Sequence, residues 1–96
     1  MAGKDRGVFG ISVAADLASM EIQNLRVYER RGLVSPDRTA GGTRLYSEDD
    51  VDRLVRIREL LADGLNLAGI GRVLELEGAV DRLQGENDRL RHGRSR

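Results

Sequence analysis

The chain has no cysteine and no tryptophan, one proline, one histidine and three aromatic residues in 96. Each shortage excludes something. Without cysteine there is no disulfide, no thiolate metal site and no thiol catalysis. The one histidine, His92, sits in a polar tail and reads as a solvated residue. No metal and no cofactor are therefore expected. A composition of 40% apolar residues supports a small core but not a roomy ligand cavity. No apolar run approaches the ~18 residues of a membrane span. The N-terminal MAGKDRG has no apolar signal core, so a cytoplasmic protein with no membrane partner is expected. No nucleophile–base pair, carboxylate pair or phosphate loop appears, so an enzyme is not expected.

Net charge is also absent, but only in the total. Sixteen basic side chains balance sixteen acidic ones. From Ile22 to Tyr46, five arginines face only Glu29 and Asp37, which leaves +3. From Ser47 to Leu90, six arginines face eleven acids, which leaves −5. Three more arginines follow Leu90. A local basic patch, not the total, is what attracts phosphate.

The pattern along the chain predicts short helices and one hairpin. Residues 1–7 read as a disordered lead. Ser12 is a candidate N-cap for a helix over Val13 to Ala18, with Val13, Leu17 and the alanines facing inward. Ser19, Met20 and Glu21 make a turn. A second helix runs from Ile22 to about Arg31, with Ile22, Leu25 and Tyr28 on its inner face. Gly32 suits the left-handed residue that stops it, Leu33 can pack back, and Pro36 prevents resumption. Arg38-Thr39 and Thr43 to Tyr46 read as hairpin arms around Ala40-Gly41-Gly42. Arg44 and Tyr46 share one side of that strand, and Leu45 is expected to point into the core. Ser47-Glu48-Asp49-Asp50 has the outline of a capping box for a third helix, which Gly64 ends. Asn66 can cap a fourth.

The last third carries a heptad pattern. Val73, Val80 and Asn87 recur every seven residues, and Leu76, Leu83 and Leu90 follow three residues later. Two to three heptads are too short to stand alone, so a partner helix is expected. Residues 78–91 then form a dimerisation helix, and 92–96 a basic tail. The alternative is one amphipathic helix folding back on its own domain.

The run LRVYERRGLVSPDRTAGGTRLYS, followed by GLNLAGI, resembles the MerR family of transcription regulators. Leu25-Arg26, Tyr28-Glu29, Gly32-Leu33, Pro36, Arg38, Arg44, Tyr46-Ser47 and Gly64 carry the family pattern. Ile11 to Ala15, Gln23, Thr39 to Gly42 and Asn66 to Ile70 are similar to its heat-shock repressor (HspR-like) branch. The likeness covers about Phe9 to Glu77. It implies a mostly α fold: a winged helix-turn-helix with a small β-hairpin wing, a second helical pair and a C-terminal coiled-coil or dimerisation helix. Residues 8–77 are then the DNA-binding domain. Glu21, Asn24 and Val27 depart from the family pattern. No stretch resembles the family's effector domain, so a metal or drug sensor is not expected.

In such a fold the start of the second helix reaches base edges in the major groove, and the wing grips the backbone. Gln23 and Asn24 carry amides that can pair bidentately with adenine. Arg26, Arg30 and Arg31 can reach guanine or phosphate, and the resemblance favours phosphate for Arg26. Tyr28 is a candidate shared with the core. Arg38, Thr39, Arg44 and Tyr46 belong to the wing. Val73, Leu76, Val80, Leu83, Asn87 and Leu90 are the dimerisation candidates. The expected function is a nucleoid-associated repressor that binds double-stranded DNA as a homodimer on an inverted repeat. A chaperone co-repressor is implied by the resemblance alone. An excisionase-like DNA-bending protein and a coiled-coil adaptor without DNA binding stay open.

Overall fold

A computed structural model describes residues 3–94, with side chains through residue 85. The element order is α1 (Ile11–Ala18), α2 (Ile22–Arg30), β1 (Asp37–Arg38), β2 (Arg44–Leu45), α3 (Glu48–Ala62) and α4 (Leu67–Arg94). This is the mostly helical winged helix-turn-helix that the sequence predicts. The chain divides into two compact units, Met1–Gly64 and Leu65–Arg96. Asn87, Leu90 and His92 lie outside the described side chains.

In the first unit, α1 packs against both α2 and α3. Ala14, Ala15 and Ala18 are its buried face, and residues this small let neighbouring helices come close. Two expectations for α1 need correction. Val13 and Leu17 are exposed, because the alanines at i, i+1 and i+4 already fill the inner face. The N-cap is Gly10 and not Ser12: Ala14 N–H bonds to Gly10 O, which starts the helix two residues earlier. Ser19 ends α1 in the left-handed region, at φ 56°. The N–H groups of Ser19 and Met20 bond back to Asp16 and Ala15, so the tight turn into α2 is closed by a serine.

α2 buries Leu25 and Tyr28, while Ile22, expected on the same inner face, stays 36% exposed. Its stop follows the sequence reading. Gly32 has φ 75°, Gly32 N–H bonds to Glu29 O and Leu33 N–H bonds to Tyr28 O, the paired bonds of a Schellman motif. Leu33 and Val34 are buried just beyond.

β1 and β2 pair antiparallel, Asp37 opposite Leu45 and Arg38 opposite Arg44. Tyr46 extends the ladder to the N-terminal segment, exchanging backbone bonds with Phe9. Residues 4–7, read from the sequence as disordered, are tied down. Gly7 N–H donates to Asp37 Oδ2 at 2.9 Å, and Lys4 O accepts from Asp49 N–H at 3.0 Å. Gly7 must be small, since a Cβ there would sit 2.5 Å from the Leu45 carbonyl oxygen.

α3 begins with the full capping box. Asp50 N–H donates to Ser47 Oγ and Ser47 N–H donates to Asp50 Oδ2, both at 2.9 Å. Glu48, Asp49 and Asp50 also place negative charge at the positive end of the helix. Leu54, Ile57 and Leu60 are its buried stripe.

In the second unit, Asn66 caps α4: its Oδ1 accepts from Gly69 N–H at 2.8 Å, and its carbonyl oxygen from Ile70 N–H. Ile70 and Leu74 are buried. The helix passes Gly78 and Gly85 without interruption, so the boundary expected at 77/78 falls inside one element. Along the heptad seam Val73 is half-buried, while Leu76, Val80 and Leu83 are more than half exposed. No helix of the described residues is long and apolar enough to cross a membrane.

Candidate nucleic-acid interface

α2 offers a polar face because its apolar residues are spent on one side. With Leu25 and Tyr28 buried, Gln23, Asn24, Arg26, Arg30 and Arg31 are all exposed and Val27 is half-buried. Gln23, Arg26, Val27 and Arg30 follow i, i+3, i+4, i+7 spacing and lie in one row. Glu21 precedes them with cap-like backbone, φ −76° and ψ 144°, yet its side chain makes no cap bond.

The wing is built around Thr39. Its N–H bonds to Thr43 O and its carbonyl oxygen accepts from Gly42 N–H. Its hydroxyl oxygen accepts from Thr43 N–H at 3.1 Å. Gly42, at φ 88°, turns the tip. Thr39 therefore shapes the wing, and its hydroxyl is already engaged.

Arg38 and Arg44 converge on Glu29 of α2. Arg38 Nη2 donates to Glu29 Oε2 at 2.7 Å, and Arg44 Nε donates to Oε1 of the same carboxylate. Arg38 Nη1 also donates to Gly42 O at 2.9 Å. The side chains are 46%, 32% and 18% exposed for Arg38, Arg44 and Glu29. Burial alone would raise the Glu29 carboxyl. The hydrogen bonds and charges of Arg44 and Arg38 outweigh it and hold the group below the usual carboxylate range. The bond to Glu29 correspondingly raises Arg44.

Two of the predicted contact residues are buried. Tyr46 is 0% exposed and Tyr28 is 5% exposed. Arg44 and Tyr46 do share a side of the strand, but on that side Arg44 meets Glu29 of α2 and Tyr46 is buried, while Leu45 is half-buried and not part of the core. The parity of the strand was readable, and its sense was inverted. Burial pushes both tyrosine hydroxyls up. Tyr46 Oη is the buried side-chain polar atom without a partner among the described residues.

Sequence reasoning missed two arginines that hold the frame. Arg53 Nε donates to the Leu33 carbonyl oxygen, and Arg58 Nη1 donates to the Ala18 carbonyl oxygen at 2.8 Å. Both lie on α3; Arg58 satisfies a carbonyl in the last turn of α1, where a cation suits the helix dipole, and Arg53 holds the segment just past α2. Their partners are 20 and 40 residues away in sequence, and no local pattern marks them. Arg58 also lines an open cleft of about 350 Å³ with Asp16, Glu21, Asn24 and Tyr28.

Known proteins with this pattern are regulators. A family profile described as "MerR HTH family regulatory protein" matches residues 9–77. A Streptomyces coelicolor protein named as a heat shock protein, HspR, is 52% identical over 82 residues, covering 84% of this chain and 54% of that one. The HTH-type transcriptional regulator GlnR of Bacillus anthracis is 48% identical over 67 residues, covering 70% and 52%. Among solved structures, the transcription regulator PbrR691 from Ralstonia metallidurans, in complex with lead(II), superposes with a TM-score of 0.68 at 26% identity, covering 88% of this chain and 78% of that one. The chain spans about half the length of the curated relatives it matches.

Proposed function

The chain belongs to the MerR HTH family of regulatory proteins, and from that membership we propose that it is a transcriptional repressor that binds double-stranded DNA by sequence. The carrying observation is the exposed row Gln23, Arg26 and Arg30 on α2, with the wing latched beside it through Glu29. In this reading Gln23 and Asn24 meet base edges, and Arg26, Arg30 and Arg31 meet bases or phosphates. Arg38, Arg44 and the Thr39 turn form the backbone clamp. Tyr28 and Tyr46 support these residues from beneath and do not touch DNA.

One helix and one wing supply few contacts, so the reading includes a homodimer on an inverted repeat. The exposed apolar row Leu76, Val80 and Leu83 supports pairing through α4, with Val73 at its start. Asn87 and Leu90 continue the same heptad in sequence. The likeness to a heat shock protein extends the reading to a chaperone co-repressor by analogy, with no residue of this chain assigned to it.

Selection of bound duplexes from a randomised library, with sedimentation of the free and bound chain, tests the proposal. The expected result is an inverted repeat bound by two chains, with affinity falling as salt rises. Deleting residues 78–96 is expected to weaken that binding. Salt-insensitive or absent duplex binding would leave the coiled-coil adaptor as the better reading. Strong bending without a preferred sequence would favour an architectural protein.

A further inference from the structure

We propose that Glu29 is a positioning residue for the wing: its carboxylate fixes Arg38 and Arg44 as one oriented phosphate-binding unit, in place of two separately mobile cations. The inference rests on the DNA-binding reading above and assigns that site an acidic organiser. Arg38 and Arg44 are cross-strand partners in the hairpin. Two guanidiniums placed so close repel each other, and like charges directly opposite destabilise a strand pair. Glu29 enters from α2 and gives one oxygen to each, leaving the three side chains with one net positive charge. Because Arg38 also holds the Gly42 carbonyl oxygen, one acid ties the exposed helix, both strands and the tip together.

A guanidinium has five N–H donors in a rigid fork. Among the described residues Arg38 uses two of them and Arg44 one. Both side chains keep exposed surface, so the unused donors remain available to phosphate oxygens. Fixing the fork before DNA arrives lowers the ordering cost on binding. A Glu29 that merely neutralised the arginines would weaken phosphate binding. The two roles therefore predict opposite signs when the carboxylate is removed.

The test uses Glu29→Gln, nearly the same size and without the charge. Amide hydrogen exchange is followed at Thr39, Gly42 and Thr43, whose N–H groups close the wing, and at Leu54 in the core. Affinity is measured by fluorescence anisotropy on a duplex that the wild-type chain selects from a randomised library, at several salt concentrations. Glu29→Gln is expected to speed wing exchange about tenfold with Leu54 unchanged. It is also expected to weaken binding about tenfold, although the local positive charge rises by one. Unchanged wing exchange, or affinity equal to or tighter than wild type, overturns the proposal. Arg44→Gln removes the other end of the pair and is expected to loosen the same amides; if neither variant loosens them, the proposal fails. If the wild-type chain selects no duplex, the DNA-binding reading is what fails, and the exchange measurement still decides whether Glu29 fixes the wing.

Discussion

Helices α2 and α3 end alike and begin differently. Each stops at a positive-φ glycine, Gly32 at 75° and Gly64 at 94°. α3 starts with a serine that accepts a bond from Asp50, an aspartate that returns one, and three acids on the positive end. α2 starts with Glu21, whose side chain makes no cap bond, two residues after a serine held in the left-handed region. So α3 is specified by its own neighbours in sequence. α2 is held from outside, by Arg53 at Leu33 just past its end and by the wing at Glu29, while Arg58 fixes the end of α1 before it. The helix proposed to meet DNA is the one with the weaker local signal at its start. Its position is thereby tied to the wing, which would have to move with it.

The contrast breaks first at Ser47. Ser47→Ala removes the side-chain half of the capping box and leaves the Asp50 N–H without its partner beside a buried position, while the backbone N–H of residue 47 can still donate to Asp50 Oδ2. The expected loss is about 2 kcal/mol, the upper end for a cap. Urea unfolding checks it, and a loss below about 0.5 kcal/mol would mean that α3 also depends mainly on tertiary packing.

Acid should strip away the external hold on α2. The folded Glu29 carboxyl lies below its ordinary value because Arg44 and Arg38 outweigh its burial, and Tyr46 is the titratable neighbour beneath them. A group lowered on folding adds stability that is complete above its unfolded value. That stability is lost as pH falls through the folded value. Arg38 is nearly half exposed, so solvent screening limits the contribution to about 1 kcal/mol. Wild type and Glu29→Gln, unfolded in urea across a pH series, should differ by that amount near neutrality and converge in acid. A constant gap at every pH would assign the difference to packing.

These dependencies explain what could be read from sequence. Gly32-Leu33, Ser47 to Asp50 and Asn66 form motifs within a few residues, so their chemistry is visible in the order of letters. Strand parity was visible at Arg44 and Tyr46 too. Which side faces inward was not, because it depends on contacts distant in sequence, Glu29 of α2 with Arg44 and Phe9 with Tyr46. Val13 and Leu17 looked like core by hydrophobicity, yet the small Ala14, Ala15 and Ala18 decide the packing of α1. In the candidate site the exposed amides and arginines of α2 follow from helical spacing. The pairing of Arg38 and Arg44 with Glu29, 9 and 15 residues away, exists only once the wing folds back.

A smaller effect sharpens the comparison at the turn before α2. Ser19 occupies φ 56°, a region that costs a non-glycine residue about 1 kcal/mol. Its N–H serves the turn through the backbone alone, so glycine can keep the bond to Asp16. Ser19→Gly is expected to stabilise the first unit by up to about 1 kcal/mol, less the added freedom of the unfolded chain. Thermal melting reads this directly, and a lower melting temperature would show that the serine side chain contributes to the turn.

The smallest predicted change addresses the missing cap itself. Glu21 already has the extended backbone of a cap residue, and its carbonyl oxygen accepts from the N–H groups of Asn24 and Leu25. What it lacks is a side chain short enough to fold back on the first turn. Glu21→Asp supplies that reach and keeps the negative charge, which separates the cap bond from the helix-dipole effect. The expected gain is about 0.5 kcal/mol, seen as a rise of a few degrees in melting temperature for a chain of this size. Glu21→Gln, which removes the charge and adds no reach, should move the other way. If aspartate gives no gain, the start of α2 is fixed by the Ser19 turn and the packing of Leu25, and a better cap has nothing left to order.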